Sequence, residues 1–195
     1  MNPKDVLLLL TDNWVESDTS YVIPFLNLDG KYVIKTIAID KQSKASASGL
    51  RTEIDFSVDE YQDFNNLSMV IIPGGLSWRM EKYDEIANFL KKVTNLHIPI
   101  AAICGSVTFL AKHGFLNDVK HTNDTKEVFY EKLKDEKGYT GHENFVSAQV
   151  VVDKGFITAN DMAAVEFAYE VLKILEPIPS EEIEEWYNQF KSAMV

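Results

Sequence analysis

The feature that most restricts how this chain can fold is a set of short, unbroken apolar runs, each ending abruptly in residues able to do chemistry. Val6-Leu7-Leu8-Leu9-Leu10 runs into Thr11-Asp12, Met69-Val70-Ile71-Ile72 into Pro73-Gly74-Gly75, and Ile98 to Ile103 into Cys104-Gly105-Ser106. A strand that is apolar at successive positions is covered on both faces, as in parallel sheets flanked by helices. Between the runs the period changes from strand to helix. Ile86, Phe89, Leu90 and Val93 fall at helical spacing within Tyr83 to Leu96, as do Ala164, Phe167, Ala168, Val171, Leu172 and Leu175, with Asn160 or Asp161 placed as N-cap. Alternating strands and helices predict one doubly wound α/β sandwich over residues 1–195.

Further elements follow from the same reading. Val15 to Leu28 is expected to form a helix kinked at Pro24 and ending at Asp29-Gly30. Tyr32 to Ile39 reads as a second strand, Ser46 to Glu53 as a small hairpin, Lys120 to Thr122 as a short polar strand and Thr125 to Lys134 as a charged helix. Phe145 to Ala159 holds two short strands around Asp153-Lys154-Gly155. Residues 176–195 carry five acids and one lysine, which predicts a solvated acidic helix over about 178–195.

Nineteen Lys and Arg against thirty Asp and Glu leave a net charge of −11, which argues against a sequence-independent grip on nucleic acid or anionic lipid. A small-molecule partner is expected. Cys104 is the only cysteine, so no internal disulfide forms, no zinc spacing exists, and a reducing cytoplasm fits. The early apolar run is far shorter than the roughly 20 residues of a membrane span, and we expect neither signal peptide nor anchor.

In an open parallel sheet, ligands bind beyond the carboxyl ends of the strands. Asp12 to Glu16, Gly74-Gly75, Cys104 and Thr158 to Asp161 all converge there. Cys104, between a buried run and Gly105, suits a strand-turn-helix bend whose helix start favours a thiolate. A lone cysteine is also well suited to being a small buried hydrophobe. Gly74 and Gly75 would offer N–H groups to an oxyanion beside the sulfur, or simply make a tight loop. Glu16 would hydrogen-bond the thiolate or move protons, unless it is an exposed helix-start residue. Of the four histidines, none adjoins Cys104; His121 is the best candidate base, His142 lies in a glycine loop, and His97 and His113 lie at helix ends. Trp78 would wall the pocket or pack at an interface. No metal or cofactor is expected, because Thr11 to Ser17 lacks the hydroxyl density of a flavin phosphate cradle.

The segment leading to Glu16, Ile71-Ile72-Pro73-Gly74-Gly75 and Ala101-Ala102-Ile103-Cys104-Gly105-Ser106 resemble the signature of the DJ-1/PfpI (ThiJ) family, within the class I glutamine amidotransferase-like superfamily. Val22-Ile23-Pro24, Gly114-Phe115-Leu116 and Val151 to Ala159 fit it too, so the resemblance spans about residues 5–175. It implies a flavodoxin-like three-layer α/β/α sandwich, usually a homodimer, with a reactive elbow cysteine and a carboxylic acid that maps onto Glu16. Its members include glutathione-independent glyoxalases, proposed deglycases, peptidases, chaperones and oxidative-stress sensors.

Some departures redirect the expectation. The peptidase branch has a histidine directly after the cysteine, where this chain has Gly105, and amidotransferases end their triad in a late His-x-Glu, which is absent. The glyoxalase-like branch has a histidine where Asp124 lies nearest, so either His121 takes its place or no histidine acts. The resulting expectation is a Cys104 nucleophile assisted by Glu16, with oxyanion or substrate contacts from Gly74, Gly75, Gly105, Trp78 and Asn160, acting on a small carbonyl or amide substrate. The alternative is a non-enzymatic redox sensor or stress-protective chaperone that works through oxidation of Cys104.

Overall fold

A computed structural model of the protein describes residues 2–28, 30–80 and 83–192. Nine strands appear in chain order: β1 (Lys4–Leu9), β2 (Tyr32–Ala38), β3 (Lys44–Ala45), β4 (Arg51–Thr52), β5 (Phe56–Ser57), β6 (Leu67–Ile72), β7 (Ile100–Ile103), β8 (Val150–Asp153) and β9 (Phe156–Ala159). The helices are α1 (Ile23–Leu26), α2 (Ser77–Met80), α3 (Asp84–Asn95), α4 (Gly105–Lys112), α5 (Lys126–Leu133), α6 (Ala164–Leu175) and α7 (Ser180–Ser192). Seven strands make one sheet in the order β5-β2-β1-β6-β7-β9-β8, and β3 pairs with β4 in a separate hairpin. All neighbours in the large sheet run parallel except β8 and β9.

The apolar runs are buried on both sides, as expected. Along β1 and just past it, Leu7 and Leu9 enter one core while Val6, Leu8 and Leu10 enter the other. The first core is closed by Ile86, Phe89 and Leu90 of α3, Phe109 and Leu110 of α4 and Phe129 of α5. Leu26 of α1, Phe167 and Val171 of α6 and Ile183 of α7 close the second. Each fully buried aliphatic or aromatic side chain contributes about 1.5–3 kcal/mol, so two continuous layers are ample to fix the strand register. This is the flavodoxin-like three-layer arrangement.

Some expected elements differ. In place of a kinked helix over Val15 to Leu28 the chain forms a 3₁₀ turn at Glu16–Asp18 and then the four-residue α1. Pro24 sits in the first turn of α1, where its missing N–H costs nothing, but its ring prevents a continuous helix from running through it. The expected end at Asp29 lies outside the described residues. Lys120 to Thr122 is not a strand: only a single bridge, His121 to Phe145, forms, and Lys120 N–H donates to the Asp153 carboxylate at 2.7 Å. Neither Asn160 nor Asp161 caps α6, whose N-cap is Ala163. Asn160 Oδ1 instead accepts from Met162 N–H at 3.0 Å in the turn before it.

The acidic tail is docked rather than solvated. Ile183 is 1% exposed, Trp186 meets Phe25 edge to face at 5.2 Å, Phe190 meets Tyr21 likewise at 5.2 Å, and Tyr187 stacks on Tyr169 at 4.0 Å. The acids of α7 occupy the opposite, solvent side, an amphipathic pattern that net charge alone concealed. Residues 193–195 of that expected helix lie outside the described residues. Ile183→Ala should lower the unfolding free energy by about 2–4 kcal/mol in a urea titration, the usual cost of truncating a buried aliphatic. A change within experimental error would mean that α7 does not pack here in solution.

Candidate active site

The strand order reverses at β1, which lies between β2 and β6, so the loops after β1, β6 and β7 open into one crevice at the carboxyl end of the sheet. Cys104 links β7 to α4 with φ 59° and ψ −125°, a conformation that an L-residue holds only under constraint. The constraints are explicit. Cys104 N–H donates to Ala159 O at 3.0 Å, and Cys104 O accepts from Val107 N–H at 3.2 Å and from Asn123 Nδ2 at 2.8 Å. The next residue must be small, because a Cβ on Gly105 would lie 2.5 Å from Gly75 O. Ser106, fully buried, ties the turn to two strands: its one hydroxyl hydrogen is shared between Ile72 O and Ile103 O, each 2.8 Å from Oγ, and Oγ accepts from Ile103 N–H at 3.0 Å. The thiol itself is half-buried.

The carboxyl that joins Cys104 is Asp18, two residues beyond the expected Glu16. Asp18 is 3% exposed, and Gly74 N–H donates to its Oδ2 at 2.8 Å. A Cβ on Gly74 would lie 2.6 Å from Asp18 Oδ2, 2.7 Å from Cys104 Cβ and 3.1 Å from its Sγ, so the carboxyl and the thiol flank the space that any side chain at position 74 would need. Burial pushes the Asp18 carboxyl up to about 6 and the nearby negative charge of Asp161 adds to the rise, against the opposing pull of Gly74 N–H. Glu16 behaves in the opposite way. The hydroxyls of Ser46 and Ser48 hold it down to about 2, and Ser48 N–H also donates to it, at 3.2 Å. A 3₁₀ turn has about three residues per turn, so residues two apart point to different sides: Asp18 toward the sheet and Glu16 toward the β3–β4 hairpin. Glu16 therefore anchors the hairpin, and Asp18 is the acid at the thiol.

The remaining expectations divide. Gly75 and Gly105 pack backbone on backbone, a Cβ on Gly105 lying 3.4 Å from Gly75 N, and Gly105 opens α4, where first-turn N–H groups lack intrahelical acceptors. Gly74 N–H, by contrast, is committed to Asp18 and is not an oxyanion donor. Trp78 is fully buried, donates from Nε1 to Pro73 O at 3.0 Å and packs on Phe109 at 4.8 Å, so it braces the glycine turn from the core and walls no pocket.

His121 is 0% exposed, with Nδ1 2.7 Å from Val119 O and Nε2 2.9 Å from the Tyr139 hydroxyl. A carbonyl only accepts, so Nδ1 carries the proton and Nε2 accepts from Tyr139. Burial among Phe129, Tyr139 and Phe145 pushes its pKa down. Both ring nitrogens are spent, which removes it as base. His97 precedes β7 and His113 closes α4, at the other end of the sheet from Cys104, and the His142 ring meets Tyr130 and Tyr139, beside the His121 cage.

Asn160 lies in the turn before α6, closed by its Oδ1 and Met162 N–H. It lines a groove of about 880 Å³ with Asn123, Lys126, Gln149, Asp161 and Met162. The groove adjoins the crevice through Asn123, bonded to the Cys104 carbonyl, and Asp161, whose charge acts on Asp18. No cluster able to hold a metal occurs, and no helix is long and apolar enough to cross a membrane, among the described residues.

The whole chain, of which this crevice is one part, has similar sequences and similar structures among known proteins. The chain belongs to the DJ-1/PfpI family, whose family model matches residues 4–174. It is 35% identical over 182 residues to an uncharacterized protease, YdeA, of Bacillus subtilis (strain 168), spanning 93% of this chain and 88% of that one. A second uncharacterized protease of that organism, YoaZ, is 29% identical across 98% of this chain and 93% of its own length. Among solved structures, a DJ-1 superfamily protein from Agrobacterium tumefaciens superposes with a TM-score of 0.87 at 25% identity, covering 98% of this chain and all (100%) of that one. A thiJ/pfpI family protein from Bacillus anthracis gives 0.86 at 28% identity, covering 99% and 92%.

The raised Asp18 carboxyl has a thermodynamic consequence. Its folded-state value near 6 lies above the ordinary value near 3.8, so the folded protein holds this proton more tightly and loses stability as pH rises between the two, with the full deficit above about 6. Asp18→Asn cannot ionise and keeps an acceptor for Gly74 N–H. In denaturant titrations it should match the wild type near pH 4 and exceed it by about 2–3 kcal/mol at pH 8. A difference independent of pH would place the Asp18 carboxyl in solvent.

Proposed function

We propose that this protein is a cysteine-dependent enzyme acting on a small carbonyl or amide compound, with Cys104 as nucleophile in a nucleophile elbow and Asp18 in the proton-transfer role that the sequence pattern assigned to Glu16. The observation that carries this reading is the placement of the Asp18 carboxyl and the Cys104 thiol on either side of Gly74, the acid holding its proton up to about pH 6. A carboxyl tuned toward neutrality is matched to accept and return protons under physiological conditions. Family membership supports a reactive cysteine at this turn.

For a 2-oxoaldehyde, the thiolate adds to the aldehyde carbon and the carbonyl pair moves to oxygen, facing Gly75 and Gly105 N–H. The Asp18 carboxylate takes the hydrogen of that carbon as a proton and returns it to the neighbouring carbon, whose oxygen takes from water the equivalent of the proton the thiol released, leaving the thioester of a 2-hydroxy acid. Water hydrolyses the thioester and regenerates the thiol, with no external oxidant or reductant. For an amide, protonated Asp18 supplies the leaving nitrogen instead. The related Bacillus subtilis proteins carry protease names. The reading toward small substrates rests on the state of His121, whose ring is neutral and fully bonded, leaving a carboxyl in place of the imidazole of cysteine peptidases.

Lactate formation from methylglyoxal is the direct assay. Cys104→Ser should reduce it to the uncatalysed background and Asp18→Asn should lower kcat by about 10²-fold or more. Turnover by Cys104→Ser equal to the wild type would overturn the reading.

The same geometry supports a second reading, in which a protonated Asp18 donates to a sulfinic acid formed on Cys104. With no second cysteine in the chain, oxidation stops at an oxyacid. Mild peroxide would then add two oxygens by mass to the wild type and none to Cys104→Ser; an unaltered wild-type mass removes this reading.

A further inference from the structure

The peptide that joins Cys104 to Gly105 is gripped by a residue from a distant segment. Asn123 is 2% exposed, and its Nδ2 donates to Cys104 O at 2.8 Å, while its Oδ1 accepts from Asp124 N–H at 2.6 Å. The side chain is therefore held at both ends. The segment that carries it is pinned as well, through Thr122 N–H to Thr158 Oγ1 at 3.0 Å and Thr122 Oγ1 to Ala148 O at 2.7 Å, beside the immobile His121.

A trans peptide is planar, and its C=O and N–H point in opposite directions. No cis peptide occurs among the described residues. Fixing the Cys104 carbonyl from the Asn123 side therefore fixes the direction of Gly105 N–H on the opposite side of that peptide, at a residue whose Cα packs against the Gly75 backbone. Val107 N–H also binds Cys104 O, but from within α4, so it moves with the helix; Asn123 ties the same peptide to an independent part of the fold.

We propose that Asn123 is a positioning residue for oxyanion stabilisation: by holding the Cys104 carbonyl it aims Gly105 N–H at the developing oxygen charge of a substrate attacked by Cys104. This deepens the function proposed above and rests on it. Preorganised donors are valuable because they need no reorientation during reaction, and removing one outright costs about 10²–10³-fold in rate.

Two probes separate this role from a merely structural one. Acylation of Cys104 by p-nitrophenyl acetate builds oxyanion charge at a carbonyl, whereas alkylation by iodoacetamide displaces iodide at a saturated carbon and builds none. The ratio of the two rate constants cancels changes in thiolate content. Asn123→Ala should lower that ratio by about tenfold or more, with alkylation nearly unchanged and an unaltered far-UV spectrum. Asn123→Asp keeps the shape and the Oδ1 acceptor but lacks the donor; it should lower the ratio similarly and guards against misfolding of the alanine variant. Asn123→Gln, which retains an amide donor, should recover part of it.

An unchanged ratio in both the Ala and Asp variants, or equal loss of both reactions, overturns the positioning role while leaving the nucleophile in place. Wild-type protein that alkylates but does not acylate overturns the carbonyl reading of the site itself, and the proposal with it.

Discussion

The structure depends on one close approach. After β1, β6 and β7 the chain comes together around Gly74 with no room for a side chain: Asp18, the Gly74 backbone and Cys104 occupy adjoining volume, and Gly105 meets Gly75 in the same way. Three glycines, Gly74, Gly75 and Gly105, therefore let three loops share a space with no room for side chains at those positions, and the parallel pairing of β1 with β6 and of β6 with β7 brings those loops into register. The buried faces of the strands set that register, since a one-residue slip would turn the core side chains of β1 into the wrong layer.

That approach stores free energy. Cys104 holds a positive φ that costs on the order of 1–3 kcal/mol, and Asp18 is buried with one backbone donor and another carboxylate nearby. Neither helps the fold. Both are held by surrounding order: Ser106 ties the elbow to β6 and β7, Trp78 braces the Pro73 carbonyl, and Asn123 reaches the elbow from outside the sheet. An acid and a thiol held on either side of Gly74 in a partly desolvated crevice are a chemical asset and a structural cost at once.

Much of this was legible in the residues. Apolar runs predict the central strands because complete burial removes alternation, and the polar or glycine-rich turn after each run marks the crevice. Cys104 and the Gly74-Gly75 pair stand directly after such runs, and the structure places them after β7 and β6. What could not be read was direction. Glu16 and Asp18 lie on one short 3₁₀ turn, and only the turn's geometry decides that the first meets the serines of a hairpin and the second the thiol. His121 looked available because nothing local marks Val119 and Tyr139 as its partners; the tyrosine lies eighteen residues on. Asn123 is not marked by the sequence because its role is to hold backbone, and a residue that bonds a distant carbonyl leaves no local pattern. Aromatic spacing on the acidic tail was the missed signal for its docking.

In the function proposed above Asp18 acts at the Cys104 thiol, and the rate of Cys104 alkylation against pH is the measurement that decides it, since the chain has no other cysteine. The wild-type profile is expected to show a step near pH 6 from Asp18 in addition to the thiol ionisation, and the Asp18→Asn profile to lack that step. Superimposable single-step profiles, or no reaction until the chain is unfolded, would contradict it.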